Sequence, residues 1–215
     1  MPMNEDTLYL NADTLFQQKK PEDNLLKAYP RANFKSINMV GFCDSLSYST
    51  KEENLFLNKE PVIWLDEFQL TSDSIRILLI KDLIKMAFLN KSAFIASEVD
   101  SNSYNQISGE NMEAYFHENK LSNIEVIGNG ESIYYIEEEK KSEAVGVNKI
   151  ICSNMNIIIN NRQIENINFY KEPDAILYPL SQIVQNEVLL KGFKWLNKSD
   201  IENIIQNKMD KYELF

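Results

Sequence analysis

Five copies of a four-residue pattern divide this chain into repeats and constrain its fold more than any other feature. Each copy, called the box here, has a small residue, a polar residue, a second small or polar residue and then a large aliphatic one. Self-similarity at about 30–40 residues is typical of architectures in which similar units stack. The boxes predict an elongated protein with grooves rather than one deep pocket. They are residues 12–15, 43–46, 72–75, 109–112 and 152–155.

Further elements follow the boxes at similar offsets. Eight or nine residues after most box aliphatics comes a pair of aliphatic residues three apart, such as Leu83 with Met86. A short apolar run begins about ten residues later, as at residues 93–95 and 132–134. Polar and apolar residues alternate within the boxes and beyond them, which is the period of a half-buried strand. Short strands separated by polar breaks predict an all-β sandwich, barrel or jelly roll.

The C-terminal part of the chain departs from this pattern. Pro173 and Pro179 indicate an edge strand or an irregular wrap over residues 176–195. From residue 199 the period becomes helical, with Ser199 or Asp200 as the expected cap. We expect a short helix, or a linker, over residues 199–215 that covers an open sheet end or leads to a further segment, after a β domain at 7–198. Its apolar face would carry Ile201, Ile204, Ile205 and Met209.

Composition and charge exclude several classes of function. The net charge of −10 over 215 residues argues against a nucleic-acid binder, because phosphate contacts need a basic surface. Residues 1–6 do not read as a signal peptide, so the protein is either cytosolic or exported by a signal outside this sequence. His117 is the only histidine, and no phosphate loop, dinucleotide fingerprint or metal motif is present. An enzyme is therefore the least favoured class, and no cofactor or metal is expected.

The boxes contain two further features. Asp13, Asp44, Asp73 and Glu110 share one box position; this ladder could bind calcium, or it could consist of ordinary surface carboxylates at strand starts. Cys43 and Cys152 share another position, three repeats apart. At the strand spacing of about 4.8 Å they would be at least ~14 Å apart, too far for a disulfide. We therefore predict two free thiols that fill space.

Aromatic and aliphatic residues on the predicted strands would fill a core. If the stacked strands do not close fully, they leave an apolar groove that suits an acyl chain, because each buried methylene contributes about 0.8 kcal/mol. The residues alone leave two possibilities open: an elongated β protein that holds an apolar ligand, or one that only acts as a scaffold.

Several runs resemble the OstA-like family, whose members include the LptA periplasmic protein and the N-terminal domain of LptD. The resemblance is greatest to the form found in Bacteroidota and covers roughly residues 7–200. It rests on LNADTL at 10–15, GFCDSL at 41–46, PVIW at 61–64, QLTSDSI at 69–75, NQISG at 105–109, GNG at 128–130 and KGFKW at 191–195.

The resemblance implies a twisted antiparallel β-jelly roll of five repeats with a hydrophobic interior. It further implies a non-enzymatic periplasmic bridge that carries lipopolysaccharide toward the outer membrane. The expected partners are this lipid or a related one and other jelly-roll domains, joined by edge-strand addition, with a possible head-to-tail homo-oligomer. The missing export signal and the acidic charge depart from the family.

We expect alternate apolar residues of the strands to face the interior and bind lipid. A structural scaffold for outer-membrane or cell-surface assembly is the main rival. A carbohydrate-binding jelly roll is the third hypothesis, and it would be favoured if Trp64 and Trp195 faced solvent together. The expected lipid-binding residues are Leu46, Tyr48, Ile63, Ile75, Ile77, Met86, Phe88, Ile95, Met112, Ile124, Met155 and Ile157.

Overall fold

The computed structural model describes residues 2–3, 6–37, 39–81, 83–137, 144–160, 163–183 and 188–210. Within these ranges, two strands pair only with each other, sixteen strands form one antiparallel sheet, and one α-helix follows. The strands are β1 (Pro2–Met3), β2 (Asp6–Thr7), β3 (Tyr9–Asn11), β4 (Thr14–Lys20), β5 (Asp23–Tyr29), β6 (Ala32–Lys35), β7 (Met39–Cys43), β8 (Ser45–Ser49), β9 (Asn54–Asn58), β10 (Val62–Leu65), β11 (Phe68–Thr71), β12 (Ser74–Ile80), β13 (Leu83–Asp100), β14 (Ser103–His117), β15 (Lys120–Glu137), β16 (Ala144–Asn160), β17 (Gln163–Tyr170) and β18 (Asp174–Pro179). A 3-10 turn (Leu180–Gln182) and helix α1 (Lys198–Asp210) complete the chain as described.

The large sheet folds over into two facing layers. The first layer runs β4-β5-β8-β9-β12, continues through one half of each of β13 to β16, and ends at β17. The second runs β3-β6-β7-β10-β11, continues through the other halves of the same four strands, and ends at β18. Side chains from both layers pack into one apolar cluster. The predicted all-β antiparallel jelly roll with a short C-terminal helix is confirmed.

Each box lies at a corner where the chain passes from the second layer to the first. In the second box, for example, β7 ends at Cys43 and β8 begins at Ser45. Between boxes the chain returns to the second layer through a corner with left-handed backbone, as shown by φ values of 59° at Arg31, 60° at Lys59, 58° at Lys91, 50° at Asn129 and 60° at Lys171. Boxes and returning corners alternate in the order in which the strands pair. Together they form one continuous line of corners, which we call the crease.

The first box residue is small in all five boxes, and in three of them its side chain donates a hydrogen bond that closes the corner. The Cys43 thiol donates to the Ser45 carbonyl at 3.3 Å. The Ser72 hydroxyl does the same to Ser74 at 2.8 Å, and the Cys152 thiol to Asn154 at 3.1 Å. A short donor at this position satisfies a backbone carbonyl where the strand ladder is interrupted.

Two of the four box carboxylates form ion pairs with cations of neighbouring corners. Asp13 forms an ion pair with Arg31, and Asp44 lies 2.8 Å from the Lys59 ammonium group. Such exposed pairs contribute at most about 1 kcal/mol each. Among the described residues, no three His, Cys, Asp or Glu side chains come together as metal ligands would. The surface interpretation of the acidic ladder is the one that these contacts favour.

The two box thiols are free and buried. Burial raises the pKa of the Cys43 thiol to about 12, and burial also raises the pKa of Cys152. The thiolate is the reactive form, so at pH 8 Cys43 holds about a thousandfold less thiolate than a thiol of pKa about 9. We expect iodoacetamide at pH 8 to leave both cysteines unmodified in the native protein and to label both in denaturant. Rapid native labelling, measured by mass spectrometry, would show that these corners open readily.

Residues 188–197, called the strap here, cross the outer face of the second layer. Val188, Leu190 and Trp195 pack there with Phe94 and Tyr135 in a separate apolar cluster. The strap follows edge strand β18, so the prediction of an edge strand or an irregular wrap over residues 176–195 agrees with the structure.

Helix α1 continues the strap over the same outer face. Ile205 is fully buried and packs with Val40 and Trp64, while Ile204 is 46% exposed. The helix begins one residue earlier than predicted, and its cap is Asn197, whose side-chain oxygen accepts from the Ser199 amide at 3.1 Å. The helix therefore covers a sheet face and not a sheet end. The side chain of Met209 and residues 211–215 lie outside the described residues.

Candidate functional site

The space between the two layers is lined by rows of apolar side chains, one row member from each strand. Cross-strand partners of an antiparallel sheet share a face, so the strand register defines the rows. One first-layer row is Leu46, Leu57, Ile75, Leu89, Met112, Val126, Met155 and Phe169. The parallel row is Tyr48, Leu55, Ile77, Ala87, Ala114, Ile124, Ile157 and Ile167.

The facing row of the second layer is apolar except at one position. It contains Phe34, Gly41, Ile63, Leu70, Ile95, Ile107, Ser132 and Ile150. Gly41 is required because a Cβ atom there would lie 2.6 Å from the Phe34 ring. Ser132 is the single polar side chain of this row, and its hydroxyl has no hydrogen-bond partner among the described residues.

Ten of the twelve residues expected to bind lipid lie in these interior rows. They are Leu46, Tyr48, Ile63, Ile75, Ile77, Ile95, Met112, Ile124, Met155 and Ile157. Their contact with a lipid remains a prediction.

The expected interior placement of Met86 and Phe88 is wrong. Their neighbours Ala87 and Leu89 are fully buried in the interior cluster, which puts Met86 and Phe88 on the outer face of the first layer. There the Arg76 guanidinium lies 3.6 Å from the centre of the Phe88 ring. A change of one residue in strand phase exchanges the two faces. The phase could have been read from the small Ala87, which fits a crowded interior and not an outer face.

The middle of the interior is closely packed. Leu46, Ile75, Ile77 and Leu89 in the first layer, and Ile63 in the second, are at most 1% exposed. At such density the side chains leave no continuous channel. An apolar chain could enter only where the layers part.

Two pockets open where the layers do not meet fully. One of about 340 Å³ lies between strand ends of opposite layers and is lined by Phe68, Leu121 and Ile159 with His117 at its rim. The other, of about 270 Å³, lies at the C-terminal end of the roll, and we call it the C-terminal mouth. The interior is thus accessible at two places: the side opposite the crease, where strand ends of the two layers do not join, and one end of the roll.

The C-terminal mouth is the pocket that reaches a buried hydroxyl near the end of an interior row. Ile150 and Ser132 are its two buried lining residues and therefore form its inner end. Phe169 and Ile167 line it from the first layer. Its rim carries the exposed Glu165.

The outer face of the second layer carries a different cleft, of about 770 Å³, beside the strap. Apolar residues such as Phe42, Val62 and Phe94 line it together with acidic and basic residues of the crease and strap. Trp64 is 2% exposed and packs beneath α1, and Trp195 lies against Tyr104 with ring centres 5.1 Å apart. The two tryptophans therefore do not form the flat exposed platform that carbohydrate binding would need.

Sequence reasoning missed the two polar side chains that hold the strap. The Gln69 amide donates to the Lys194 carbonyl at 2.6 Å and accepts from the Leu196 amide at 2.9 Å. Gln106 bonds Val188 and Leu190 in the same way, at 3.0 and 2.9 Å. Both glutamines are at most 1% exposed. A glutamine at an outward position of an apolar strand was the available signal, because a buried amide needs partners of its own.

The roll ends in exposed edge strands. Every residue of β4 is exposed, including Leu15 at 56% and Phe16 at 42%. At the other end, β18 exposes Ile176 at 51% and Leu177 at 64%. Each of these strands has one paired side and one free side in the described sheet. Among the described residues, no helix is both long and apolar enough to cross a membrane.

No protein-family model matches this chain, and neither does any curated protein. Among solved structures the chain is similar to LptH of Pseudomonas aeruginosa, described as the LptA homologous periplasmic component of the conserved lipopolysaccharide transport device. The two align at a TM-score of 0.47 with 9% identity, over 83% of this chain and 100% of that chain. At this identity no function is transferred, and the closer resemblance to the Bacteroidota form stays a prediction.

Proposed function

We propose that this protein is a non-enzymatic carrier of lipopolysaccharide or a related lipid in the periplasm, with acyl chains held between the two layers. The observation that carries the proposal is the interior itself. Two facing sets of apolar rows run from strand to strand along the roll, and the roll is open opposite the crease and at the C-terminal mouth. The sequence resemblance to OstA-like proteins supports the same function.

The physics of an acyl chain suits this interior. Each methylene taken from water contributes about 0.8 kcal/mol, and the contact needs little directional geometry. Because the core is closely packed, the layers must move apart for a chain to enter, and the crease keeps them joined along one side. The hydrogen bonds and ion pairs of the crease, such as Asp73 N to Lys91 O at 3.1 Å, lie away from the opening side.

The exposed edges support the second part of the proposal, a bridge of several domains. An edge strand with free backbone groups can pair with another strand. Both β4 at one end and β17 or β18 at the other are available for such pairing. A jelly-roll partner or a second copy of this chain would then continue the apolar interior across the joint.

A photo-crosslinking pair tests lipid carriage. Phe169 faces the interior at the C-terminal mouth, and Phe88 lies on the outer face; both are half-buried. Replacement of each by p-benzoylphenylalanine keeps an aromatic ring in place. After expression in a lipopolysaccharide-producing bacterium and irradiation, we expect a lipid adduct from position 169 and none from position 88. Equal capture at both positions, or none at 169, would contradict carriage in the interior.

The close packing of the middle of the interior favours a second candidate, a structural scaffold. A scaffold needs a dry core and the same edge strands, but no lipid. Native mass spectrometry of the purified protein distinguishes the two. Co-purified lipid supports the carrier. Lipid-free protomers that form longer oligomers as the protein concentration rises support the scaffold.

A further inference from the structure

We propose that the C-terminal mouth binds the polar junction of a lipid, the ester or amide carbonyl where an acyl chain joins its head group, through a hydrogen bond from the Ser132 hydroxyl. This inference rests on the proposed lipid carriage and names a site within it. It begins from Ser132, which is 1% exposed and has no hydrogen-bond partner within the part of the chain that the structure describes.

A buried hydroxyl without a partner is costly. Leaving such a group unsatisfied costs more folding free energy than an average hydrogen bond contributes. Native proteins contain few examples. Alanine at this position would pack as well beside Ile107 and Ile150, its partners in the row. A serine here is explained if the hydroxyl serves a ligand.

The surroundings of Ser132 match a junction between polar and apolar chemistry. Ser132 pairs with Ile150, and the next pair on the same face is Tyr134 with Asn148. Together with Ile136, these four side chains form the second-layer wall of the pocket, opposite Ile167 and Phe169. Polar and apolar groups therefore meet at the inner end of a single pocket.

The direction of the rows places the two parts of the lipid. Inward from Ser132 the row continues through Ile107, Ile95 and Leu70, all apolar, over three strand spacings or about 14 Å. Outward lies the rim with its exposed Glu165. A carbonyl at Ser132 thus lets the acyl chain follow the row and leaves the head group at the rim. A volume of about 270 Å³ is too small for a whole lipid and suits the junction alone.

A pair of lipids that differ by this one oxygen tests the site. Lysophosphatidylcholine carries its chain through an ester, and its alkyl-ether analogue of equal length lacks only the carbonyl. We expect the wild-type protein to bind the ester about fivefold more tightly in calorimetric titrations below the micellar concentration, as one hydrogen bond would give. In Ser132→Ala the ratio should fall to about one. Ser47→Ala, on the outer face of β8, should keep the wild-type ratio.

The outcomes separate the site from the carrier function. If both lipids bind the wild-type protein equally, or if Ser132→Ala keeps the preference for the ester, the junction site is overturned and lipid carriage stands. If neither lipid binds, both proposals fail. The thermal unfolding midpoint of ligand-free Ser132→Ala should equal or exceed that of the wild type, because the change removes no hydrogen bond within the protein.

Discussion

Ile77→Asp is expected to prevent folding, whereas Phe88→Asp is expected to leave a folded protein. Ile77 is fully buried between the layers, where its row partners are Leu55 and Ala87. An unpaired carboxylate there costs several kcal/mol even after relaxation, which is comparable to the total stability of a domain, about 5–15 kcal/mol. Phe88 is half-buried on the outer face beside Arg76, which can pair with an introduced carboxylate.

Circular dichroism with urea titration measures this difference. Both variants lie on adjacent strands of the same layer and introduce the same charge, so only the face differs. If Phe88→Asp unfolded the protein and Ile77→Asp did not, the strand phase described for β12 and β13 would be wrong. A folded Ile77→Asp would mean that water already enters the interior at this depth.

Gln106→Ala is expected to release the strap from the sheet while the roll stays folded. The substitution removes both partners of the strap at this point, the acceptor of the Leu190 amide and the donor to the Val188 carbonyl. Buried groups left without partners cost about 1–3 kcal/mol each. A loss of about 3 kcal/mol corresponds to roughly hundredfold faster hydrogen exchange of the Leu190 amide by local opening.

Hydrogen exchange followed by mass spectrometry of peptides from residues 188–197 reads this effect directly. Gln163→Ala is the matched control, because Gln163 is exposed on β17. Exchange in the interior strands should not change in either variant. Unchanged protection of Leu190 in Gln106→Ala would show that apolar packing alone holds the strap.

The parts of the fold that could be predicted are the strands in which polar and apolar residues alternate regularly and the corners that recur in each repeat. The boxes mark the corners because a small residue and a polar neighbour fit where the chain changes layers, and this need recurs in each repeat. The interior positions of β8 and β12 follow from their alternation around Leu46 and Ile75. Hence most of the expected interior residues lie where the alternation puts them.

The long strands were harder because their phase is not constant. The register between β12 and β13 shifts between Leu78 and Leu79 of β12. The register between β13 and β14 shifts between Asn90 and Ala93 of β13. A bulge moves later residues to the opposite face, so alternation counted from one end fails. The face of Phe88 depends on such a shift, and within residues 83–90 only the small Ala87 indicates the phase that results.

The strap could not be predicted from local patterns at all. Gln69 and Lys194 are 125 positions apart, and Gln106 and Leu190 are 84 positions apart. Their pairing depends on the second layer presenting its outer face to the chain end. The prediction of the helix cap was wrong for a smaller reason: Asn197, Ser199 and Asp200 are all good capping residues, and the local pattern does not distinguish among them.

Because of the crease, whole repeats can be added or removed, which changes the length of the roll but leaves its cross-section the same. Each repeat, with one box and one returning corner, contributes two neighbouring strands to each layer. The backbone hydrogen bonds at the corners join only adjacent strands. Duplicating one repeat would therefore lengthen the apolar interior by about 9.6 Å, two strand spacings, and deleting one would shorten it equally. Proteins of this architecture that differ in the number of boxes should therefore differ in the length of their apolar interior, by a fixed amount for each repeat.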